Sequence, residues 1–247
     1  MGPDLALALE LADAADALSL PRFRAHDLVV ETKPDLTPVT EADRAVEAEL
    51  RRLLAERRPE EAVLGEEEGE AGGGSARWVI DPIDGTKNFS RGIPVWATLL
   101  ALEREGRVEC GVVSAPALGR RWWAARGEGA WRDGDERLRV SGVSALEDAT
   151  VLVALDRPPP AAAFCVWHLR GLGDFWAHML VAEGAAELAI DAIGVSVWDL
   201  AAPLVIVEEA GGRFTDLEGR TRPDGRAAIA SNGLLHDDAL ALAAGRD

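Results

Sequence analysis

The sequence predicts an α+β fold in which helices open the chain, strands fill its middle and both types alternate towards its end. The first 60 residues hold two amphipathic helical patterns, whereas short apolar or alternating runs begin at Arg77 and mixed patterns follow Asp148. With 247 residues, 48 % of them hydrophobic, the chain is long enough to bury a large core. It is therefore expected to form one large domain or two closely packed halves.

Two helices are predicted before the strands. Apolar residues recur at helical spacing over residues 7–18 and predict a helix that stops near residue 21. Thr40 is a good N-cap with Asp43 three residues later, and an apolar stripe continues from there to Pro59, which predicts the second helix. The glutamate and glycine run at 66–75 predicts an acidic surface loop.

The length and periodicity of apolar runs predict the remaining strands and helices. Strands of a predicted antiparallel sheet lie at 78–80, 95–102, 108–113, 121–125 and 138–140, and a separate short strand is predicted at 62–64. Later strands are predicted at 151–155 and 227–230, and later helices at 175–184, 198–210 and 234–244. A composition shift at 135–148 predicts an N-terminal α+β half at 1–137 and a C-terminal α/β half at 138–247, within one structural unit.

Charge and cysteine usage exclude several classes of protein. Lys and Arg total 26 against 43 Asp and Glu, so a net charge of −17 repels nucleic acids and anionic membrane surfaces. Cys110 and Cys165 have no CxxC spacing, which favours a reduced, cytoplasmic setting. No basic leader or apolar run of the roughly 20 residues that a membrane span needs is present. An acidic protein can still handle an anionic substrate if divalent cations invert the local field.

The most informative segment is an apolar strand followed by a turn near residue 80. The strand delivers Asp81 and Asp84 into a turn that contains Gly85, and Thr86 follows with a free hydroxyl. Crowded carboxylates repel each other unless a cation holds them, and hard oxygen ligands suit Mg²⁺. The alternative is an ordinary turn, because Asp, Pro and Gly populate turns for local reasons.

Other carboxylates could join this pair. Glu66 and Glu67 follow the short strand at 62–64, although glutamates in such a run are commonly a solvated acidic loop. Asp199 lies near a predicted helix start, where Asp is also a common capping residue. Local evidence leaves both alternatives open.

In combination, the motifs resemble the inositol monophosphatase superfamily. They are Gly65-Glu-Glu67, Asp81-Pro-Ile-Asp-Gly-Thr86 and Trp198-Asp-Leu-Ala-Ala202 followed by Glu209-Ala-Gly-Gly212, and the resemblance extends from about Ala6 to Gly245. It implies a layered αβαβα sandwich of the inositol monophosphatase and fructose-1,6-bisphosphatase type. It also implies a homodimer that hydrolyses a small phosphorylated metabolite with Mg²⁺ as cofactor.

The same resemblance assigns roles to single residues. The implied Mg²⁺ ligands are Glu66, Asp81, the backbone carbonyl of Ile83, Asp84 and Asp199. Asp43, Thr86 and Glu67 are the implied catalytic residues, with Asp43 and Thr86 orienting the attacking water, and Asp43 can cap its helix at the same time. The amides of Gly85 and Thr86 are expected to bind the phosphate. Lys33 matches a basic residue of the same early segment.

Flanking residues favour one branch of the superfamily. Residues 87–102 and 171–176 look closer to histidinol-phosphate phosphatases than to inositol phosphatases. Asp174 stands where inositol phosphatases usually carry a small hydroxyl residue, and a carboxylate suits an ammonium or imidazolium group. Asp191 lies near the position where members of the superfamily place an acidic residue in contact with the substrate. The alternative for Asp174 is a helix N-cap ahead of Phe175.

Competing functions remain at this point. An inositol-1-monophosphatase or a phosphatase of broad specificity is the nearest alternative, and a regulatory binding protein of the same fold is the non-enzymatic one. A haloacid-dehalogenase-type phosphatase spaces its aspartates two apart, whereas Asp81 and Asp84 are three apart. The four histidines show no metal-ligand spacing and are expected to be surface or core residues. The segment between Leu155 and Arg170 looks shorter than in most members of the superfamily.

Overall fold

A computed structural model describes residues 1–154, 166–192 and 194–244, which form six α-helices and fifteen strands. The helices are α1 (Pro3–Ser19), α2 (Glu41–Arg57), α3 (Thr86–Ser90), α4 (Asp174–Ala182), α5 (Val197–Glu209) and α6 (His236–Ala243). The strands up to residue 104 are β1 (Val30–Thr32), β2 (Pro38–Thr40), β3 (Ala62–Gly65), β4 (Gly69–Ala71), β5 (Ala76–Asp84) and β6 (Ala97–Arg104). The next strands are β7 (Arg107–Ala115), β8 (Arg120–Ala125), β9 (Gly129–Arg132), β10 (Glu136–Arg137) and β11 (Thr150–Val153). The last are β12 (His168–Gly171), β13 (Leu188–Asp191), β14 (Arg213–Thr215) and β15 (Ala228–Ser231).

Two large sheets organise these elements. The first has eight strands in the order β10-β9-β8-β7-β6-β5-β3-β4, and its described pairs are antiparallel except β3 with β5. The second has five strands in the order β12-β11-β13-β15-β14, parallel from β12 to β13 and antiparallel from β13 to β14. The short β1 and β2 form a separate hairpin.

Alternating burial along the strands divides the core into layers. Trp78 and Ile80 of β5 pack with apolar residues of α1 and α2, whereas Val79 faces the opposite side towards α4 and α5. The far side of α4 and α5 packs on the second sheet, and α6 covers that sheet's outer face, where Ile229 meets Leu242. The order is helices, sheet, helices, sheet, helix, which confirms the predicted αβαβα sandwich.

The predicted helices agree with the structure, but several strand predictions were wrong. Residues 138–140 form no strand, because the N–H of Leu138 bonds to Ala130 and that of Val140 bonds to Ala210, so no single partner strand exists. The predicted loop at 66–75 contains β4, which folds back on β3 as a hairpin. The predicted strands at 78–80, 95–102, 108–113 and 121–125 correspond to β5 to β8, which pair antiparallel as predicted, whereas β3 joins the sheet parallel to β5.

Some sequence predictions lie outside what the structure can test. Residues 155–165, which make up most of the shortened segment before Arg170 and include Cys165, lie outside the described residues, whereas Cys110 is a buried free thiol. The division into halves at residue 138 stays a prediction. Among the described helices, none has both the length and the apolar character needed to cross a membrane.

Candidate active site

The end of β5 brings two carboxylates to one place. Residues three apart on a regular strand point to opposite faces, but the pairing of β5 with β6 shifts register between Asp81 and Asp84. The carbonyl of Pro82, inside this irregularity, accepts a hydrogen bond of 2.8 Å from the Thr98 hydroxyl. The bulge therefore allows both aspartates to approach the same point.

Asp199 completes the group from the first turn of α5. One carboxylate oxygen each of Asp81, Asp84 and Asp199 lies within 4.8 Å of the other two. Asp199 also accepts a hydrogen bond of 2.5 Å from the N–H of Ser196. The same side chain therefore caps its helix and takes part in the carboxylate cluster. The capping alternative and the cluster are thus compatible.

Burial makes ionisation of this cluster costly. It raises the pKa of Asp81 and Asp84 well above the usual value, and neighbouring carboxylates raise both further. Burial is likewise the main cause that raises the pKa of Asp199 to about 7, against the opposing hydrogen bond from Ser196. Three close carboxylates in such surroundings need a positive partner if they are to be ionised near pH 7.

The donor set fits a hard divalent cation. Oδ1 of Asp81 is enclosed and has no hydrogen-bond partner in the part of the chain that the structure describes. An orphaned buried carboxylate oxygen requires an explanation, and a cation bound by the three carboxylates supplies one. The cluster contains only oxygen ligands, which Mg²⁺ prefers.

Asp43 and Thr86 meet beside the cluster. Oδ2 of Asp43 accepts the N–H and the hydroxyl of Thr40 at 2.8 and 2.5 Å, which completes the predicted capping box of α2. Its other oxygen lies 3.2 Å from the Thr86 hydroxyl, which is also 2.9 Å from the carbonyl of Ile83. Burial raises the pKa of Asp43 to about 6, although the Thr40 bonds act in the opposite direction.

Glu66 and Glu67 are not a solvated loop. Lys33, in the turn of the β1–β2 hairpin, lies 2.9 Å from Glu66 and 2.6 Å from Glu67. Burial of the ammonium lowers the pKa of Lys33, but the two glutamates outweigh it and hold that pKa above its usual range. Glu66 lines the same cleft as Asp84, yet its carboxylate is outside the three-residue group and is bonded to Lys33.

The turn after β5 requires glycine. Gly85 has a φ of +80°, and a Cβ there would lie 3.0 Å from the carbonyl of Val95. Gly85 and Thr86 both line the cleft, where Gly85 is the N-cap and Thr86 the first residue of the short helix α3.

Asp174 and Asp191 lie at the same cleft, whose volume is about 480 Å³. Asp174 opens α4 with a φ of +55° and makes no capping hydrogen bond, so the N-cap alternative was wrong and Gly173 holds that position. The next amide, that of Phe175, donates to Asp84 at 2.6 Å. This bond ties the start of α4 to the carboxylate cluster.

Sequence reasoning missed further residues at the cleft. Lys87 and His178 line it, and Asn88 donates to the Val95 carbonyl at 2.8 Å and lies 3.4 Å from Asp174. A signal existed for His178, which follows Asp174 at helical spacing. Lys87 and Asn88 begin the flanking segment 87–102, but only the tertiary structure brings this segment close to the start of α4.

Comparison with known proteins defines the class of this site. The family model described as "Inositol monophosphatase family" matches residues 3–245. The chain therefore belongs to the inositol monophosphatase family, whose members are metal-dependent phosphomonoesterases.

Individual relatives are similar over nearly their whole length. The chain is 53 % identical to a histidinol-phosphatase of Mycobacterium tuberculosis, with 96 % of each chain covered. It is 52 % identical to one of Streptomyces coelicolor, covering 96 % of this chain and 95 % of the relative. Among solved structures, the IMPase of Thermotoga maritima superposes with a TM-score of 0.88 at 32 % identity, covering 98 % of this chain and 96 % of that one.

Proposed function

We propose that this protein is a Mg²⁺-dependent phosphatase that hydrolyses L-histidinol phosphate to L-histidinol and phosphate, a step of histidine biosynthesis. The observation that carries the proposal is the buried group of Asp81, Asp84 and Asp199, with Asp174 at the same cleft. The cluster supports metal-assisted phosphate chemistry, and Asp174 supports a cationic substrate. The two relatives named histidinol-phosphatase support the same substrate.

The three clustered aspartates, Glu66 and the Ile83 carbonyl are the proposed metal ligands. When bound there, Mg²⁺ supplies positive charge beside the phosphoryl oxygens and lowers the pKa of a water molecule. Glu66 must exchange its bond to Lys33 to take part.

Asp43 and Thr86 are proposed to handle the attacking water. The single proton of the Thr86 hydroxyl can point to the Ile83 carbonyl or to Asp43; when it points to Asp43, the Thr86 oxygen accepts a hydrogen bond from water, takes up the water's proton and passes its own to Asp43. Asp43 is the final proton acceptor, and Glu67 keeps Lys33 in place beside the site. The amides of Gly85 and Thr86 bind the phosphate. No covalent intermediate is required.

Asp174 is proposed to contact the substrate's ammonium group, with Asp191 nearby on the cleft wall. A charge-assisted hydrogen bond contributes roughly 1.5 to 3 kcal/mol, or about ten- to hundredfold in kcat/KM. Inositol phosphates have no cation for this carboxylate. Histidinol phosphate should therefore be preferred over inositol phosphates.

A panel of phosphomonoesters assayed with Mg²⁺ tests the proposal. Wild-type protein should turn over histidinol phosphate fastest, and Asp174→Asn should lose far more activity on histidinol phosphate than on an uncharged phosphomonoester. Asn also tolerates a positive φ, so this variant should fold, and Asp27→Asn on the exposed surface is the matched control. A preference for inositol phosphates would instead support an inositol-1-monophosphatase.

The cytoplasmic location and the homodimer belong to the same proposal. The location derives from cysteine usage and the homodimer from the family resemblance. Sedimentation equilibrium of the purified chain would test the dimer directly.

A further inference from the structure

The second turn of α4 places a histidine at the cleft that the proposed chemistry does not use. His178 lines the cleft although the residue is only 2 % exposed. It follows Asp174 by four residues on α4, and residues four apart share one face of a helix. Both side chains therefore belong to the same wall of the cleft.

The imidazole of His178 has no hydrogen-bond partner among the described residues. Its Nδ1 is enclosed and unpaired, and no bond joins the other ring nitrogen to any residue that the structure describes. Buried polar groups are normally hydrogen-bonded, so we expect the imidazole to find a hydrogen-bond partner outside the protein chain. Phe214 packs against it with ring centroids 5.2 Å apart, which fixes the plane of the imidazole.

The surroundings decide which nitrogen carries the proton. Burial lowers the pKa of His178 to about 4, so the ring is neutral at pH 7 and has one N–H. An N–H enclosed without an acceptor is less tolerable than an unfilled lone pair. The favoured tautomer therefore keeps the lone pair on enclosed Nδ1 and offers Nε2–H as a donor.

We propose that His178 is a specificity-determining residue that donates Nε2–H to the unprotonated ring nitrogen of an imidazole-bearing substrate. The inference rests on the proposed function, because histidinol phosphate carries both an ammonium group and an imidazole. Asp174 then accepts from the ammonium, and His178, one helical turn further, binds the ring. Asp174 thus binds the ammonium group that separates this substrate from inositol phosphates, and His178 binds the ring that separates it from a simple amino-alcohol phosphate.

Two substitutions and two substrates test the inference. His178→Phe keeps a ring against Phe214 but removes the donor, whereas His178→Gln keeps an N–H donor of similar reach. Each is assayed on L-histidinol phosphate and on alaninol phosphate, which has the amine and the phosphate ester but no ring. His178→Phe should lower kcat/KM for histidinol phosphate about tenfold or more, mainly through KM, and leave alaninol phosphate within about twofold. His178→Gln should retain most of the activity on both.

The outcomes separate this inference from the proposed function. Equal losses on both substrates, or none, with a wild type that prefers histidinol phosphate, would overturn the role of His178 alone. A wild type that does not prefer histidinol phosphate over alaninol phosphate would overturn both.

A measurement on the wild type needs no substitution. With ¹⁵N-labelled histidine, adding L-histidinol should shift the Nε2 resonance of His178, and adding alaninol should not. The chain has only four histidines, so the signal can be assigned. An unshifted resonance at saturating histidinol would overturn the inference even if His178→Phe failed to fold.

Discussion

Two aspartates at the site serve a helix and the cleft at once. Asp43 closes the capping box of α2 with one oxygen and meets Thr86 with the other. Asp199 bonds the amide of Ser196 and joins the carboxylate cluster. Because a capping bond fixes the side chain, the helix start holds each carboxylate in the orientation that the cleft needs.

Asp43→Asn should separate these two roles. One side-chain oxygen can still accept from Thr40, so α2 should persist with a loss of about 1 kcal/mol or less in the free energy of unfolding. The proton acceptor is removed, and kcat should fall at least about a hundredfold. The checks are steady-state kinetics and urea unfolding, with Glu41→Gln in the same helical turn as the control. Normal turnover by Asp43→Asn would remove this residue from the proposed mechanism.

The sequence predicted those parts of the site that local chemistry specifies. Asp81, Asp84 and Thr86 sit in one short motif, whereas Asp43 was assigned to the site by the family resemblance, with the capping pattern predicting only its place at the start of α2. The contact of Lys33 with two glutamates was not predictable in the same way, because it joins residues more than 30 positions apart through a hairpin of two three-residue strands. His178 was expected to be a surface or core residue, because its helical spacing from Asp174 becomes informative only once Asp174 is known to line the cleft.

At the scale of elements, α2 supports the loop after β3 through one buried carboxylate. Glu47 is fully buried and accepts the amides of Glu67 at 2.8 Å and Glu68 at 3.0 Å. Arg51, one turn later, pairs with it at 2.8 Å. Gly65 packs so closely that a Cβ there would lie 2.2 Å from the Glu47 carboxylate. The glycine that precedes Glu66 is thus required by the packing of Glu47.

Gly65→Ala should therefore disturb the site indirectly, through Glu47, which lies outside the cleft. Displacing Glu47 would release both amides, shift Glu66 and Glu67, lower the free energy of unfolding by about 1 to 3 kcal/mol and reduce kcat. Gly73→Ala is the matched control in the same region, because a Cβ at Gly73 meets no atom within 4 Å. Thermal melting and turnover of the two variants decide the matter. If both behave like wild type, the loop does not depend on Glu47.

The strands missed by the sequence analysis share a physical cause. β9, β12 and β14 are only three or four residues long, and each contains polar residues that blur any alternation. The hydrogen bonds of β12 and β14 are made with strands more distant in sequence, β11 and β15, which a local pattern does not contain, whereas β9 pairs with the preceding β8 and was missed through its composition alone. The helices were predicted well because their apolar stripes and caps are local.

At the scale of the whole molecule, the carboxylate cluster joins two layers. Asp81 and Asp84 end a strand of the first sheet, and Asp199 begins a helix of the central layer. The same cluster is the point at which burial and charge oppose folding. Binding of a cation at this cluster should therefore change the stability of the whole fold.

The metal-free protein should lose stability as pH rises. Asp199 has a folded-state pKa of about 7 against an ordinary value of 3.8. Its contribution to the free energy of unfolding is therefore fully present below about pH 4 and is lost as the pH rises through 7. Above that pH, Mg²⁺ at about 100 times its Kd should add roughly 2.7 kcal/mol to the free energy of unfolding. Calorimetry across pH, with and without chelator, measures both effects.

Asp199→Asn should reduce both the loss of stability at high pH and the stabilisation by Mg²⁺. It removes a repelling charge, so the metal-free Tm should rise, while the response to Mg²⁺ should be lost. Exposed Asp27→Asn should respond like wild type. A Tm that ignores Mg²⁺ in the wild type would argue against the proposed metal site.

The split origin of the cluster also makes the protein a candidate for fragment complementation. A backbone cut between β10 and β11 would leave Asp81 and Asp84 on one piece and Asp199 on the other. The apolar core between the first sheet and α5 would be exposed on both pieces and would drive them together. Because neither piece holds the full carboxylate set, phosphate release after mixing would report reassembly with little background.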